Sequence, residues 1–249
     1  MQNDYLITQK PLKALIFFSL PMIIGNLFQQ AYTMADSAIV GRLVGENALA
    51  AVGAAYSLTN IFICIAIGGG IGASVIVSQY FGQGNYGKLK EAIYTALLSF
   101  LVISTLLGGF GLVFSKNIMR ALNTPAEVLD MAVTYLKIYF LGLPFLFMYN
   151  VLSSMFNALG KSRIPLYFLI FSSVFNIILD WIFVADFHLD VAGVAWATLI
   201  AQGVSVVGSF TVLLKVLGKL EGNADGIFAP EELLPMTRIA LPSILQQST

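Results

Sequence analysis

Residues 14–41 read ALIFFSLPMIIGNLFQQAYTMADSAIVG, an apolar stretch in which Asp36 is the single charged residue. A helix needs about 20 predominantly apolar residues to cross the hydrocarbon core of a membrane. The stretch is also longer than the apolar core of about 7–15 residues that is typical of a signal peptide. It therefore predicts a retained membrane-spanning helix with one carboxylate inside it.

The composition of the whole chain agrees with a lipid environment. Of its 249 residues, 58% are hydrophobic and 10% are charged, and the mean hydropathy is +0.85, whereas a soluble domain carries about 25% charged residues. The net charge is zero and no basic block occurs, which argues against a nucleic-acid partner. With one cysteine, Cys64, and one histidine, His188, the chain lacks the residues for a disulfide, a metal cluster or most histidine-dependent catalysis. We therefore expect no enzyme activity and no cofactor.

Apolar stretches recur along the chain and are separated by short polar segments that contain Gly, Pro and Asn, residues that commonly interrupt helices. Each stretch is long enough to cross the hydrocarbon core, with the lipid bilayer as its partner. The expected fold class is an all-α membrane protein, a six-transmembrane-helix bundle. The expected helices are 14–41, 48–80, 91–115, 128–157, 164–185 and 190–217.

The distribution of Lys and Arg predicts the orientation. Three basic residues, Arg42, Lys116 and Arg120, lie in one set of loops, and nine lie in the opposite set. Loops rich in Lys and Arg stay in the cytoplasm, so we expect a multi-pass protein of the cell inner (plasma) membrane with a cytoplasmic amino terminus. The nine residues are Lys10, Lys13, Lys88, Lys90, Lys161, Arg163, Lys215, Lys219 and Arg238.

A short sequence pattern near the start of the chain is repeated near its end. Leu20-Pro21 is followed by a glutamine pair in the first span, and Leu241-Pro242 is followed by another pair near the end. Many transporters are built from repeated halves. We therefore expect an amino-terminal six-helix lobe at 1–217, a cytoplasmic linker at 218–237 and the start of a seventh helix at 238–249. The chain is then expected to be a fragment whose second lobe is missing.

Polar residues follow one face of the first span. Asn26, Gln29, Thr33 and Asp36 are spaced by 3, 4 and 3 residues, so they share one side of a helix. Such a face avoids lipid and lines a bundle interior or a wet cavity. A carboxylate inside a span is a functional candidate, and aspartate is too short to reach the interface easily.

A second polar group is expected at the same depth. Asn176 and Asp180 are four residues apart in the fifth span, and Thr198 in the sixth span lies at a similar distance from the outer end. With Asp36 they form either an oxygen-rich site for Na⁺ or a shared proton, or a cluster of hydrogen bonds that bridges the helices. The spacing alone does not choose between these readings.

Other residues in the spans carry weaker signals. Asn150, in the fourth span, does not match the depth of the carboxylates, so a packing role is favoured there. Pro21 is a candidate hinge in the first span. Tyr32, Tyr139 and Tyr149 are candidates to face a cavity, and the sequence does not choose among them.

A set of short motifs occurs in an order that is more specific than any one of them. Together they resemble the amino-terminal half of the MATE (multidrug and toxin extrusion) family, within the multidrug/oligosaccharidyl-lipid/polysaccharide exporter superfamily. The resemblance covers essentially the whole chain. The motifs are Leu20-Pro21 with residues 34–41 (MADSAIVG), 82–85 (GQGN), 156–161 (FNALGK), Asn176 with Asp180, and 192–198 (AGVAWAT).

The resemblance implies a twelve-helix transporter of two lobes that exports small organic cations and drugs against inward Na⁺ or H⁺ by alternating access. The partners implied are the substrates and a second six-helix lobe, and the coupling ion replaces any cofactor. The implied site for the cation, or for Na⁺ as a metal, consists of Asp36, Asn176, Asp180 and Thr198. The supporting network would comprise Asn150, Asn26, Gln29 and Thr33. Ser153 departs from relatives that carry a second amide there.

Three alternatives remain open. One is a flippase of the same superfamily that moves lipid-linked oligosaccharide or peptidoglycan precursor, although such a cavity usually needs deep cationic residues and only Lys137 is available. Another is a passive channel, which flux measurements would separate from an antiporter. An intramembrane enzyme is the third, and none of the usual catalytic motifs supports it.

Overall fold

The computed structural model describes residues 11–224 and 226–248, except for the side chains of residues 11, 14 and 17. Across these residues the regular secondary structure is entirely helical. Two one-turn π-helical segments, Val40–Val44 and Ile182–Asp186, prolong α1 and α5. The α-helices are α1 (Pro11–Ile39), α2 (Glu46–Gln83), α3 (Tyr86–Ala121), α4 (Ala126–Ala158), α5 (Arg163–Trp181), α6 (Asp190–Leu217) and α7 (Pro230–Gln247).

The predicted breaks between helices are confirmed where glycine permits a left-handed turn. α2 ends at Gly84, whose φ is 70° and whose N–H donates to the carbonyls of Tyr80 and Phe81. Only glycine adopts this backbone conformation without strain. Asn85 then caps α3, because its side-chain oxygen accepts from the Lys88 N–H at 3.2 Å.

Five helices among the described residues are long and apolar enough to cross a membrane, namely α2, α3, α4, α6 and α5 with its π-helical extension. This confirms five of the predicted spans by length and composition. α1 has 29 residues, but it is not one of the five, so the crossing of the first predicted span stays a prediction.

α4 lies at the centre of the bundle. It packs against α2, α3 and α6, and Phe140, Phe147 and Phe156 along it are fully buried. α1 sits at the periphery, mainly against α5, where Gly25 faces Leu169. The site described below therefore lies at the α1–α5–α6 edge of the bundle and not at its centre.

The last helix begins earlier than predicted. α7 starts at Pro230, inside the residues 218–237 that the sequence assigns to a linker. Ala229 is extended, and Pro230 occupies the first turn together with Glu231 and Glu232. Proline at the first helical position and acidic residues in the first turn both favour a helix start, so the connecting segment ends at Ala229.

Candidate cation site

The two intramembrane carboxylates predicted from the sequence lie together. α1 and α5 pack side by side and bring Asp36 into hydrogen-bond contact with Asp180. Asp180 is 0% exposed, and Asp36 is partly buried. Each carboxyl group has a buried Oδ1 without a hydrogen-bond partner among the described residues. The pair therefore presents two buried carboxyl oxygens that a shared proton or a bound cation would satisfy.

The Asn176 amide joins this pair to α6. The residue is 2% exposed and lies one turn before Asp180. With its oxygen towards α6, Asn176 Nδ2 donates to Asp180 Oδ2 at 3.0 Å and to Tyr32 Oη at 3.2 Å. Its Oδ1 then accepts from Thr198 N at 3.0 Å and from Thr198 Oγ1 at 3.2 Å. We adopt this amide orientation because it satisfies every group, as such assignments rest on the network.

Thr198 completes the set from α6. Its hydroxyl also lies 3.1 Å from the Val194 carbonyl of its own helix. All four residues of the predicted cation site, Asp36, Asn176, Asp180 and Thr198, are thus within one connected cluster. Within the part of the chain that the structure describes, no group of three or more His, Cys, Asp or Glu side chains lies together. Any cation here would therefore be held by two carboxylates and neutral oxygens.

A polar cavity of about 40 Å³ adjoins the cluster, which is enough for about one water molecule. It lies between α1, α4, α5 and α6, and eight of its ten lining residues carry polar side chains: Gln29, Tyr32, Tyr149, Ser172, Ser173, Asn176, Thr198 and Gln202. A second cavity of about 30 Å³ adjoins Thr198 and Gln202 from the α4 side. Small amounts of water can therefore approach the cluster from two sides.

The sequence named Tyr32 only as one of three tyrosines that could face a cavity, and it did not single out Gln202 or Tyr135. Tyr32 contacts Asn176, Gln202 borders both cavities, and Tyr135 lines the second one. The signal for Gln202 was available, because it lies one turn after Thr198. Tyr135 carries no such signal, since an isolated tyrosine in an apolar helix is most often packing.

The predicted supporting network is only partly assembled. Gln29 lines the polar cavity, whereas Asn26 and Thr33 are exposed on α1, and Thr33 Oγ1 donates to the Gln29 carbonyl at 2.9 Å. Asn150 Nδ2 donates to the Leu146 carbonyl of its own helix at 2.8 Å and is not part of the cluster. The structure therefore gives Asn150 a role within α4.

α1 runs as one helix through Pro21, so the hinge at this residue stays a prediction. Gly68 and Gly72 of α2 lie against the backbone of α7. Such close approach is what small residues provide between membrane helices.

Comparison with known proteins identifies the family. The sequence model of the MatE family matches residues 21–182. The chain belongs to the MatE family. The match contains Asp36, Asn176 and Asp180, and it confirms the resemblance that the motifs carry. The characterised members of this family are transporters and not enzymes. The chain therefore belongs to a family of multi-pass membrane transporters.

The relatives and solved structures agree with this assignment. The chain is 32% identical over 203 residues to the probable multidrug resistance protein YpnP of Bacillus subtilis, which covers 81% of the chain and 46% of that protein. It is 30% identical over 201 residues to the multidrug export protein MepA of Staphylococcus haemolyticus, covering 81% and 44%. A structure of an outward-facing multidrug resistance MATE family transporter superimposes with a TM-score of 0.90 and 26% identity, over 99% of the chain and 55% of that protein. The chain thus spans about half the length of the relatives it matches.

Proposed function

We propose that this chain forms the amino-terminal lobe of a cation-coupled antiporter that exports organic cations and drugs by alternating access. The observation that carries the proposal is the contact between Asp36 and Asp180 in a buried site with unused oxygens. The names of the relatives, which are multidrug resistance and export proteins, support the substrate class.

The chemistry of the pair favours a bound cation. Two carboxyl groups form a hydrogen bond only if one of them carries a proton, and two ionised carboxylates in contact repel each other unless a cation lies between them. The Asp36–Asp180 pair therefore holds either H⁺ or a monovalent metal ion. Carboxylate, amide and hydroxyl oxygens are ligands that hard cations accept, so Asn176 and Thr198 would complete a Na⁺ site.

The exposed polar face of α1 supports a second lobe. Asn26 and Thr33 lie on the outside of this bundle, although amides and hydroxyls at membrane depth require a polar neighbour or water. A water-filled cleft between this lobe and another would provide it. On this proposal residues 1–217 form the lobe, the linker runs to Ala229, and the helix that begins at Pro230 opens the second lobe. The amino terminus would face the cytoplasm.

The mechanism follows from how α1 is held. α1 rests mainly on α5, and the carboxylate pair with the Tyr32–Asn176 bond joins the two helices near the outer end of α1. Entry of a cation would change these bonds and allow α1 to bend near Pro21, which narrows the drug-binding cleft. Coupling requires that cation and drug each bind the two facing states with different affinity.

Cation binding is testable on the purified chain, because both of its tryptophans, Trp181 and Trp196, lie on the helices of the site. We expect Na⁺ or a pH step to change their fluorescence in the wild type and not in Asp36→Asn. The matched control Asp130→Asn removes an exposed carboxylate and should respond like the wild type. An Asp36→Asn protein that responds like the wild type would show that the site is wrongly assigned.

Export is tested in vesicles that contain the complete two-lobe transporter, under sodium and proton gradients imposed separately. The gradient that drives drug uptake identifies the coupling ion, and Asp36→Asn should abolish the driven component. Undiminished driven export by Asp36→Asn would refute the proposed coupling. Downhill flux that needs no gradient of either ion would instead indicate a channel.

A further inference from the structure

α7 lies along α2 at backbone-contact distance. A Cβ atom added to Gly68 would lie 2.6 Å from the Ile244 nitrogen, and one added to Gly72 would lie 2.5 Å from the Met236 carbonyl oxygen. α7 touches α2 over most of its length and α3 at only a few points. We call this α2–α7 contact, from Gly68 and Gly72 to Met236 and Ile244, the seam. Because it depends on bare backbone, the seam is either fully closed or separated.

A buried acidic side chain fastens one end of the seam. Tyr80, near the end of α2, donates its hydroxyl to Glu232 Oε1 at 2.6 Å. Glu232 is only 7% exposed, whereas its neighbour Glu231 is exposed. Burying a carboxylate is unfavourable unless it accepts hydrogen bonds, and bonds to a charged group are among the stronger ones. The Tyr80–Glu232 bond therefore helps to hold the first turn of α7 against α2.

The segment before α7 is anchored separately. Lys90 Nζ donates to the carbonyls of Leu220 at 3.1 Å and Gly222 at 2.7 Å. Thr95 Oγ1 accepts from the Ala229 N–H at 2.9 Å in a buried position. These bonds belong to α3 and do not involve α7 itself. They fix the point at which α7 begins and leave its remaining length held by the seam and by Tyr80.

We propose that α7 is a lever that pivots at Ala229 and that the Tyr80–Glu232 bond is the latch that keeps it on α2. This rests on the proposed function for its purpose, since α7 would lead into the second lobe, and movement of its far end away from α2 would separate the seam. The latch itself is a property of the described residues. Its failure would leave the cation site untouched, and loss of cation binding would leave the latch untouched.

Cys64 reports on the seam. It is the single cysteine of the chain, is 5% exposed, and its thiol donates to the Gln247 carbonyl of α7 at 3.2 Å. A thiol covered by the end of α7 reacts with a small reagent when that end moves away from α2. The rate of labelling by N-ethylmaleimide therefore measures the open population when opening and closing are fast.

The experiment compares Cys64 labelling rates in the purified chain. Tyr80→Phe keeps the ring and removes the latch, so we expect labelling to accelerate about tenfold, close to the least effect of losing a hydrogen bond to a charged group. Tyr56→Phe is the matched control, because Tyr56 lies on the same helix, is 59% exposed, and should label like the wild type. Gly72→Val, which forces the seam apart, should accelerate labelling without touching the latch.

Thermal unfolding separates local opening from general loosening. The Tyr80→Phe protein should have a Tm about 3–6 °C below that of Tyr56→Phe, as a tenfold effect on a chain of this size implies, and should stay folded at the labelling temperature while its Cys64 reacts faster. An unchanged labelling rate in Tyr80→Phe, next to a raised rate in Gly72→Val, would overturn the latch. An equal acceleration in Tyr56→Phe, or a fall in Tm well beyond that range, which would indicate general loosening, would overturn it as well. Cation binding measured by tryptophan fluorescence should stay at the wild-type level in Tyr80→Phe.

Discussion

Replacing Asn176 by leucine tests whether the polar cluster holds the α1, α5 and α6 edge of the bundle together. The side chains are similar in size, and Asn176 is 2% exposed, so the change removes hydrogen bonds with little change in packing volume. Four contacts are lost, two to Thr198 and one each to Asp180 and Tyr32. Asn176→Leu should therefore destabilise the chain measurably, even though leucine is the better residue for a membrane helix.

The magnitude follows from the number of bonds. Three of the four contacts join different helices, one to Tyr32 and two to Thr198. Hydrogen bonds between membrane helices contribute about 0.6 kcal/mol each on average, so these three amount to about 1.8 kcal/mol. For a chain of this size, a loss of 1 kcal/mol lowers the Tm by about 2–4 °C. We expect Asn176→Leu to lower the Tm by about 4–7 °C in detergent, measured by circular dichroism.

Asn150→Leu is the matched control for this prediction. Its amide also lies inside a candidate span, but it donates to one carbonyl of its own helix. The expected loss is about 0.6 kcal/mol or less, which corresponds to about 1–2 °C. Equal destabilisation by the two substitutions would refute the view that Asn176 joins three helices, and a stabilised Asn176→Leu protein would refute it more strongly.

Three further predictions concern the site and the turns. Thr198→Val should weaken Na⁺ binding, measured by tryptophan fluorescence, about tenfold, as loss of a hydrogen bond near a charge would. Thr211→Val, on the same helix but outside the site, should leave Na⁺ binding unchanged. Equal effects of the two substitutions would remove Thr198 from the site. Gly84→Ala should destabilise the chain by about 1 kcal/mol, because the φ of Gly84 is 70°. Gly82→Ala, in a helix and with open space around it, should stabilise the chain by about 0.5–1 kcal/mol. Changes of the same sign in thermal unfolding would contradict this. Lys90→Met should speed protease cleavage after α6, because two carbonyl anchors are lost, and an unchanged cleavage rate would refute that anchoring role.

The sequence predicted the cluster better than its surroundings. Depth along a helix can be counted from the residue number, so Asp36, Asp180 and Thr198 were expected at one level, and the structure places them together. The side of a helix that faces its neighbours cannot be counted from the residue number in the same way. Asn26 and Thr33 share a helical face with Asp36, yet they are exposed. The side of α1 that faces α5 and the polar cavity runs instead through Gly25, Gln29, Tyr32 and Asp36.

The seam shows a second limit of sequence reasoning. Gly68 and Gly72 are visible in the sequence of α2, and the repeat of Leu20-Pro21 as Leu241-Pro242 predicted a further helix. Neither pattern says that these two features meet, because a small residue accepts any helix that approaches it. The bond from Tyr80 to Glu232, 152 positions later in the chain, has no local signature at all.

The sequence by itself determined the helical membrane fold, its breaks and the depth of its carboxylates. Each of these depends on local physics, since transfer into lipid and backbone hydrogen bonding are satisfied within about 20 consecutive residues. The tertiary structure alone decided which polar groups become partners and where α7 docks. Those outcomes depend on the rotation and tilt of each helix, which are set by packing between distant residues, such as Gly25 against Leu169 and Gly72 against Met236.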